Sequence, residues 1–373
     1  MCYGTAMDVI RGLRNQGMDF GKMQNTKLRN PQPWVQERFT AREFERDVWG
    51  WPQPSKLLPL HVLVPAPANR VRMTTVRLHE CRRPLPPNAI IYLDALASVV
   101  SPEMLFFQMA SELSLPAAVM LGYELCGHYS RDVENPLYGD VTMDIAPVTS
   151  VERIGDFIRG MKGFRGVRRA RDVLQYVCDN ALSAPESVLA TMGTLPAIES
   201  AYGLGRVTLN DRVNVANEDE LKARRNRYPD LLFSFAPVGI NYDGQGHLDL
   251  PGLVRAARKE ASLKGDDLTA ARAVTIEKFK EIRKKVLDDI ARNNELMSRG
   301  RCVMVATKED LESGKALDKF MRRLLQCAQE TFGVDTSSEI ARIDDTSAAG
   351  DRASLLGQIY PVPGGRRPKR HAF

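Results

Sequence analysis

From Leu182 onward the chain alternates short apolar runs with long, charged, helix-patterned stretches, and the order of these segments restricts the fold more than any other feature. Ser183-Ala184-Pro185-Glu186 opens a helix reaching about Met192, with Ser as the cap and Pro in the first turn. Val207-Thr208-Leu209 with Val213-Asn214-Val215 reads as one strand region, and two more apolar runs follow, Leu231-Leu232-Phe233 and Val238-Gly239-Ile240, each short and bounded by turn residues. A highly charged helical stretch spans Leu253 to Met297 with an interruption near Gly265, Cys302-Val303-Met304-Val305 is again strand, and Asp310 to Phe332 is helix. The sequence therefore predicts an α/β domain with the order α-β-β-β-α-β-α.

The first half reads differently. Met1 to Pro54 is punctuated by Pro31, Pro33, Pro52 and Pro54 and lacks sustained periodicity, so it is expected to be irregular, with a helix around Ala41 to Val48. Leu60 to Val64, Thr74 to Leu78 and Ile90 to Leu93 are rich in β-branched residues and predict a small sheet. Ser101-Pro102-Glu103 then opens a helix to Leu113, and Pro116 opens a second to about Cys126, which together give an α+β unit. Asp132 to Ala146, broken by Asn135-Pro136 and Gly139, reads as a loop or loose hairpin.

A chain of 373 residues exceeds one ordinary core and predicts two domains. No apolar run approaches the roughly 18 residues of a membrane span, and Met1 to Asn30 has no basic region followed by an apolar core, so a cytoplasmic protein without membrane association is expected. Its six cysteines are scattered without a CxxC pair, which fits a reducing compartment rather than a disulfide scaffold. The net charge of +6 is compatible with a polyanionic partner. Basic residues concentrate between Val151 and Arg171, where Arg168, Arg169 and Arg171 read either as a solvated connecting helix or as a phosphate-contacting stripe that releases counterions. The tail from Gly364 repeats that choice with Arg366, Arg367, Lys369 and Arg370.

Chemistry is expected where carboxylates converge. Tyr228-Pro229-Asp230 puts an acid at the start of one apolar strand, and Asn241-Tyr242-Asp243-Gly244 puts another at the end of the next. A hairpin joining those strands would bring Asp230 and Asp243 together at a sheet edge, where carboxylates hold Mg²⁺ or Mn²⁺ for water activation. His247 could take a proton from that water, and Glu186 could add an oxygen ligand. Set beside this, an Asp before Gly is most often a turn residue and a lone His is most often ordinary. His79-Glu80-Cys81 and Cys126-Gly127-His128 lack structural zinc spacing and read as packing residues, as do Trp34, Trp49 and Trp51.

Asn241-Tyr242-Asp243-Gly244-Gln245-Gly246-His247 resembles the Glu-x-Asp-Gly-x-x-His signature of endonuclease-like domains related to the very-short-patch mismatch repair endonucleases, which have a restriction-endonuclease-like fold. Pro229 to Phe233 resembles the preceding strand of that family, Asp288 to Leu296 its Asp-x-x-Arg helix, and Gly300 to Val305 its final core strand. The resemblance implies a restriction-endonuclease-like αβββαβ core over 182–335. It also implies that Asp230, Asp243 and the Tyr242 carbonyl hold the metal, that His247 and Glu186 assist, and that Arg292 contacts phosphate. The family has Glu where this chain has Asn241, so a second reading stands beside the first: a DNA-binding regulator or antitoxin whose fold has lost cleavage.

Val62 to Tyr129, with His79, Leu85-Pro86-Pro87 and Val99-Val100-Ser101-Pro102, resembles the abortive-infection type IV antitoxin regulators, which implies a cognate toxin as a partner. The expected division is 1–56 irregular, 57–148 a small α+β regulator-like domain, 149–181 basic connecting helices, 182–335 endonuclease-like and 336–373 a disordered basic tail. The expected partner is DNA, with a homodimer as the form that would cut both strands. A scaffold using neither DNA nor metal is the third reading.

Overall fold

A computed structural model describes residues 1–23, 54–65, 74–93, 97–210, 228–244 and 250–361. The architecture is mixed α/β, and the chain divides into two compact units, Met1–Leu209 with Asp351–Phe373, and Asn210–Gly350. No helix among the described residues is long and apolar enough to cross a membrane.

The first unit begins with α1 (Tyr3–Asn15), in a stretch the sequence predicts to be irregular. Ala6, Val9, Ile10 and Leu13 recur at helical spacing and are buried, but Arg11 and Arg14 are buried beside them and disguise the apolar stripe. The charge of Arg11 is matched from another helix, as its guanidinium donates to both carboxylate oxygens of Glu124 at 2.8 and 2.7 Å, while Arg14 donates to the Glu124, Gly127 and Ala146 carbonyls. Two pairs of strands follow. β1 (Leu60–Val64) and β2 (Val76–Glu80) run parallel, while β3 (Ile90–Tyr92) and β4 (Ser98–Val100) run antiparallel. The expected small sheet is thus two separate ribbons.

The centre of this unit is helical. In α2 (Pro102–Glu112) the Ser101 hydroxyl caps the Met104 amide and Pro102 occupies the first turn, as its sequence predicts. It packs against α3 (Leu115–Cys126), which is buried along its whole length. Close approach is required at Gly122, where an added Cβ would lie 2.5 Å from Val177 Cγ2. A short hairpin, β5 (Ser130–Arg131) with β6 (Val141–Thr142), precedes α4 (Val151–Gly160) and α5 (Val167–Leu174). These last two do not merely connect domains. Ile154, Ile158, Ala170 and Val173 are buried, and both helices pack on α2, each of the Ile and Val side chains contributing about 1.5–3 kcal/mol. α6 (Ala184–Thr194) packs on α3 and therefore belongs to the first unit, whose first segment ends at β7 (Val207–Leu209).

In the second unit, β8 (Leu231–Phe233) pairs antiparallel with β9 (Val238–Asp243). Gly239 is needed there because an added Cβ would stand 2.6 Å from the Leu231 carbonyl and 2.8 Å from Pro229. The chain then crosses over through α7 (Leu250–Ala261) and α8 (Asp266–Ser298), broken at Gly265 with φ of +63°. It returns as β10 (Cys302–Thr307), parallel to β9. Strand alternation separates two faces. Leu231, Phe233, Val238 and Ile240 form the apolar one, and α9 (Gly314–Phe332), which packs on β9 and β10, supplies Leu317, Phe320, Met321, Leu324 and Leu325 to the core. Cys302 on β10 and Cys327 on α9 form a disulfide, which scattered cysteine spacing did not lead one to expect. The bridge follows from α9 packing on β10 rather than from any local motif.

The stretch expected as a disordered tail carries two helices, α10 (Ser337–Asp344) against α9 and α11 (Ala349–Ile359). Ile343, Leu355, Leu356 and Ile359 are buried, so apolar side chains rather than basic ones decide this segment up to residue 361. Val213 to Val215, the helix around Ala41 to Val48, the three tryptophans and the Arg/Lys cluster of the tail lie outside the described residues.

Candidate functional site

The polar face of β8 and β9 is built by the same alternation that makes the other face apolar. With Leu231 opposite Ile240 and pointing into the core, Asp230 and Asn241 point the other way, and Asp243 follows two residues along β9 on the same side. The Asp230 carboxylate accepts from the Tyr242 amide at 2.7 Å through one oxygen and from Arg292 Nη2 at 2.6 Å through the other. Arg292 also donates to the Tyr228 carbonyl at 2.6 Å. This acid and this guanidinium are largely withdrawn from water, with side chains 13% and 27% exposed, so their attraction is weakly screened.

Asn241 completes the arrangement. Its side-chain oxygen accepts from the Asp230 amide at 3.1 Å, and its side-chain nitrogen donates to Asn293 on α8 at 3.0 Å. An amide can do both, whereas a carboxylate only accepts. β8, β9 and α8 are thus linked through one polar chain, Arg292 to Asp230 to Asn241 to Asn293. Asp243 lies opposite Thr307 in the β9–β10 register. Both the Thr307 amide and its hydroxyl donate to Asp310 at 3.0 Å. Asp310 is an acid that sequence reasoning passed over, and the signal available was the Thr-x-x-Asp spacing at the end of a strand.

Other predicted residues lie elsewhere. Glu186 accepts from the Ser183 hydroxyl at 2.7 Å and from the Leu182 amide at 3.0 Å while Ser183 caps the Glu186 amide, which makes a capping box at the start of α6. It is a residue of the first unit, whereas Asp230 and Asp243 are residues of the second. On α5, Arg168 and Arg171 are exposed, and Arg169 donates to the Ala110 carbonyl at 3.2 Å. His247 lies outside the described residues. No three His, Cys, Asp or Glu side chains converge as a metal-binding group among the described residues. A cavity of about 510 Å³ opens in the first unit and shares none of the residues of the Asp230 cluster.

No family model, curated protein or solved structure matches the chain.

Proposed function

We propose that the second unit is a restriction-endonuclease-like domain acting on DNA, with phosphodiester hydrolysis dependent on Mg²⁺ or Mn²⁺. The observation that carries the reading is the gathering of Asp230, Asn241 and Asp243 on one face of the β8–β9 hairpin, with Arg292 reaching the same acid from the crossover helix. The donor set is of the right kind, because Mg²⁺ in such sites takes one or two carboxylates and leaves its remaining positions to water and substrate phosphate. Asp230, Asp243 and the Tyr242 carbonyl would hold it. When bound, the ion supplies Lewis acidity and a more acidic water.

The residues of the chain divide the remaining work. In this reading Arg292 occupies Asp230 until cation and DNA arrive, then exchanges that carboxylate for a phosphate oxygen, which a guanidinium recognises equally well. Asn241, through the Asp230 amide, keeps the backbone of that acid in place during the exchange. His247, which follows β9 in the sequence, would serve as the proton acceptor. Arg168 and Arg171 on the first unit would add sequence-independent phosphate contacts, and a homodimer would address both strands.

The second reading, a non-catalytic DNA-binding regulator or antitoxin acting with a cognate toxin, is favoured by a specific observation. Both oxygens of Asp230 already hold protein donors, and the neighbouring position is a neutral amide. Incubating the full chain with supercoiled plasmid, with and without Mg²⁺ or Mn²⁺, separates the two. Metal-dependent nicking that Asp243→Asn abolishes supports the nuclease. Retarded DNA without nicking supports the regulator, and neither effect removes both.

A further inference from the structure

The cavity of the first unit lies between α1, the segment leading into β1, and the β1–β2 ribbon. The parallel register sets His61 beside Arg77 and Leu63 beside His79, so alternation puts His61, Arg77 and His79 on one face of the ribbon. Tyr3, at the start of α1, stacks on His79 with ring centroids 4.0 Å apart and planes inclined by 24°. His61 lies on the same shelf, 5.0 Å from His79 and inclined by 18°, and its Nδ1 is hydrogen-bonded to His79 Nε2 at 2.9 Å. Tyr3 holds this place with a φ of +49°, a conformation that disfavours any side chain and that the surrounding packing must enforce.

Charged groups surround the shelf. Arg77 and Lys56 line the cavity from exposed positions. Arg11 lines it from a buried position, and while its Nε and Nη2 are taken by Glu124, Nη1 has no hydrogen-bond partner among the described residues. A buried guanidinium nitrogen without an acceptor is uncommon, and an anionic ligand oxygen in the cavity would satisfy it. Asp8 and Glu112 line the same space, and carboxylates are of the kind that accept from hydroxyl donors. Beside Tyr3, a Cβ added at Gly4 would meet nothing within 4 Å, so the first turn of α1 also borders open space.

We propose that this cavity binds a nucleoside monophosphate, with the base on the Tyr3–His79–His61 shelf, the phosphate toward Arg11, Arg77 and Lys56, and ribose hydroxyls toward Asp8 and Glu112. Rings stack on any nucleobase, clustered cations select phosphate, and a space of about 510 Å³ is of the size that small ligands fill. Burial, His61 and Arg77 hold His79 down at about 4, so the middle of the shelf is a neutral ring at neutral pH. The proposal concerns the first unit alone and stands apart from the nuclease reading of the second.

Calorimetric titration of the full chain tests it, using AMP, GMP, CMP and UMP, with adenosine and inorganic phosphate as partial ligands. At least one monophosphate is expected to bind at a single site, with the partial ligands weaker by about tenfold or more. Arg77→Gln, at an exposed position that spares the core, and Tyr3→Leu, which removes the stacking ring, should each weaken it by a similar factor. Saturating duplex DNA should leave the affinity unchanged. The proposal fails if no monophosphate binds at millimolar concentration, if phosphate alone binds as well as the nucleotides, if Arg77→Gln binds like wild type, or if duplex DNA displaces the ligand.

Discussion

Replacing Asp230 with Asn isolates the polar lock between β8, β9 and α8. Asp230 now accepts two bonds from separate donors, the Tyr242 amide at 2.7 Å and the Arg292 guanidinium at 2.6 Å. Asn has the same shape but one acceptor oxygen, so one donor loses its partner and faces an NH₂ group instead. A charge-assisted bond of this kind contributes about 1.5–3 kcal/mol. Taking about 2 kcal/mol, at 1.4 kcal/mol per factor of ten, protection of the Tyr242 amide against hydrogen exchange should fall about thirtyfold. A slowly exchanging amide in α9, such as that of Leu324, should change far less because it lies on the other face. Exchange read by mass spectrometry of short peptides from the full chain is preferable to a global denaturation curve, since two compact units need not unfold in one step. Unchanged exchange at Tyr242 would refute the claim that Asp230 locks the hairpin. The result also bears on function, because loss of nicking in Asp230→Asn mixes a structural effect with a catalytic one, whereas Asp243→Asn leaves the lock intact.

Three further outcomes are expected. Gly239→Ala should lower the urea midpoint by the equivalent of about 1–3 kcal/mol, because its Cβ would stand 2.6 Å from a backbone oxygen that cannot move without parting the strands. Glu124→Gln should destabilise the first unit by about 3–5 kcal/mol by leaving Arg11 buried without its counter-charge. In the wild type, burial pushes the Glu124 carboxyl up, but Arg11 and the Arg131 amide outweigh it and hold the group at about 2 against an ordinary 4.5, so this contribution is complete above about pH 4.5 and is lost as pH falls toward 2. Chemical denaturation at pH 7 and pH 3 should show that loss in wild type and a smaller one in Glu124→Gln. Reducing Cys302–Cys327, 25 residues apart, should cost the second unit about 3 kcal/mol, seen as a lower unfolding midpoint in dithiothreitol that Cys327→Ser reproduces without reductant.

What could be read from the sequence was periodicity and local punctuation. Ser101-Pro102 and Ser183 announce α2 and α6 through caps that the structure contains, and Gly265 marks the break between α7 and α8. The hairpin that sets Asp230 against Asn241 follows from two apolar runs separated by a short turn. What stayed hidden depends on partners distant in sequence. α1 reads as irregular because Arg11 and Arg14 occupy its buried side, and the acceptors that make that burial acceptable, the Glu124 carboxylate and the Glu124, Gly127 and Ala146 carbonyls, are all more than a hundred residues away. Glu186 reads in the sequence as an oxygen ligand, although its position three residues after Ser183 at a helix start is the spacing of a capping carboxylate, the role it has in the structure. The His61–His79 shelf is invisible locally because it depends on a parallel register across an intervening segment.

The position that weakens the family resemblance is also the one the structure accounts for most fully. Were residue 241 a glutamate, it could still accept from the Asp230 amide, but it could not donate to Asn293, and it would set a second negative charge beside Asp230 at a site where Asn241 is only 7% exposed. Two carboxylates so close are tolerated when a divalent cation is shared between them and repel when it is not. The single guanidinium of Arg292 is already committed to Asp230 and to the Tyr228 carbonyl. Asn241 and the Arg292–Asp230 pair are therefore one adaptation rather than two, because together they let the polar face of the hairpin stay satisfied without a metal. A nuclease built this way would take up its cation only with DNA, when a phosphate replaces Asp230 as the partner of Arg292, whereas a regulator would keep the pair closed throughout.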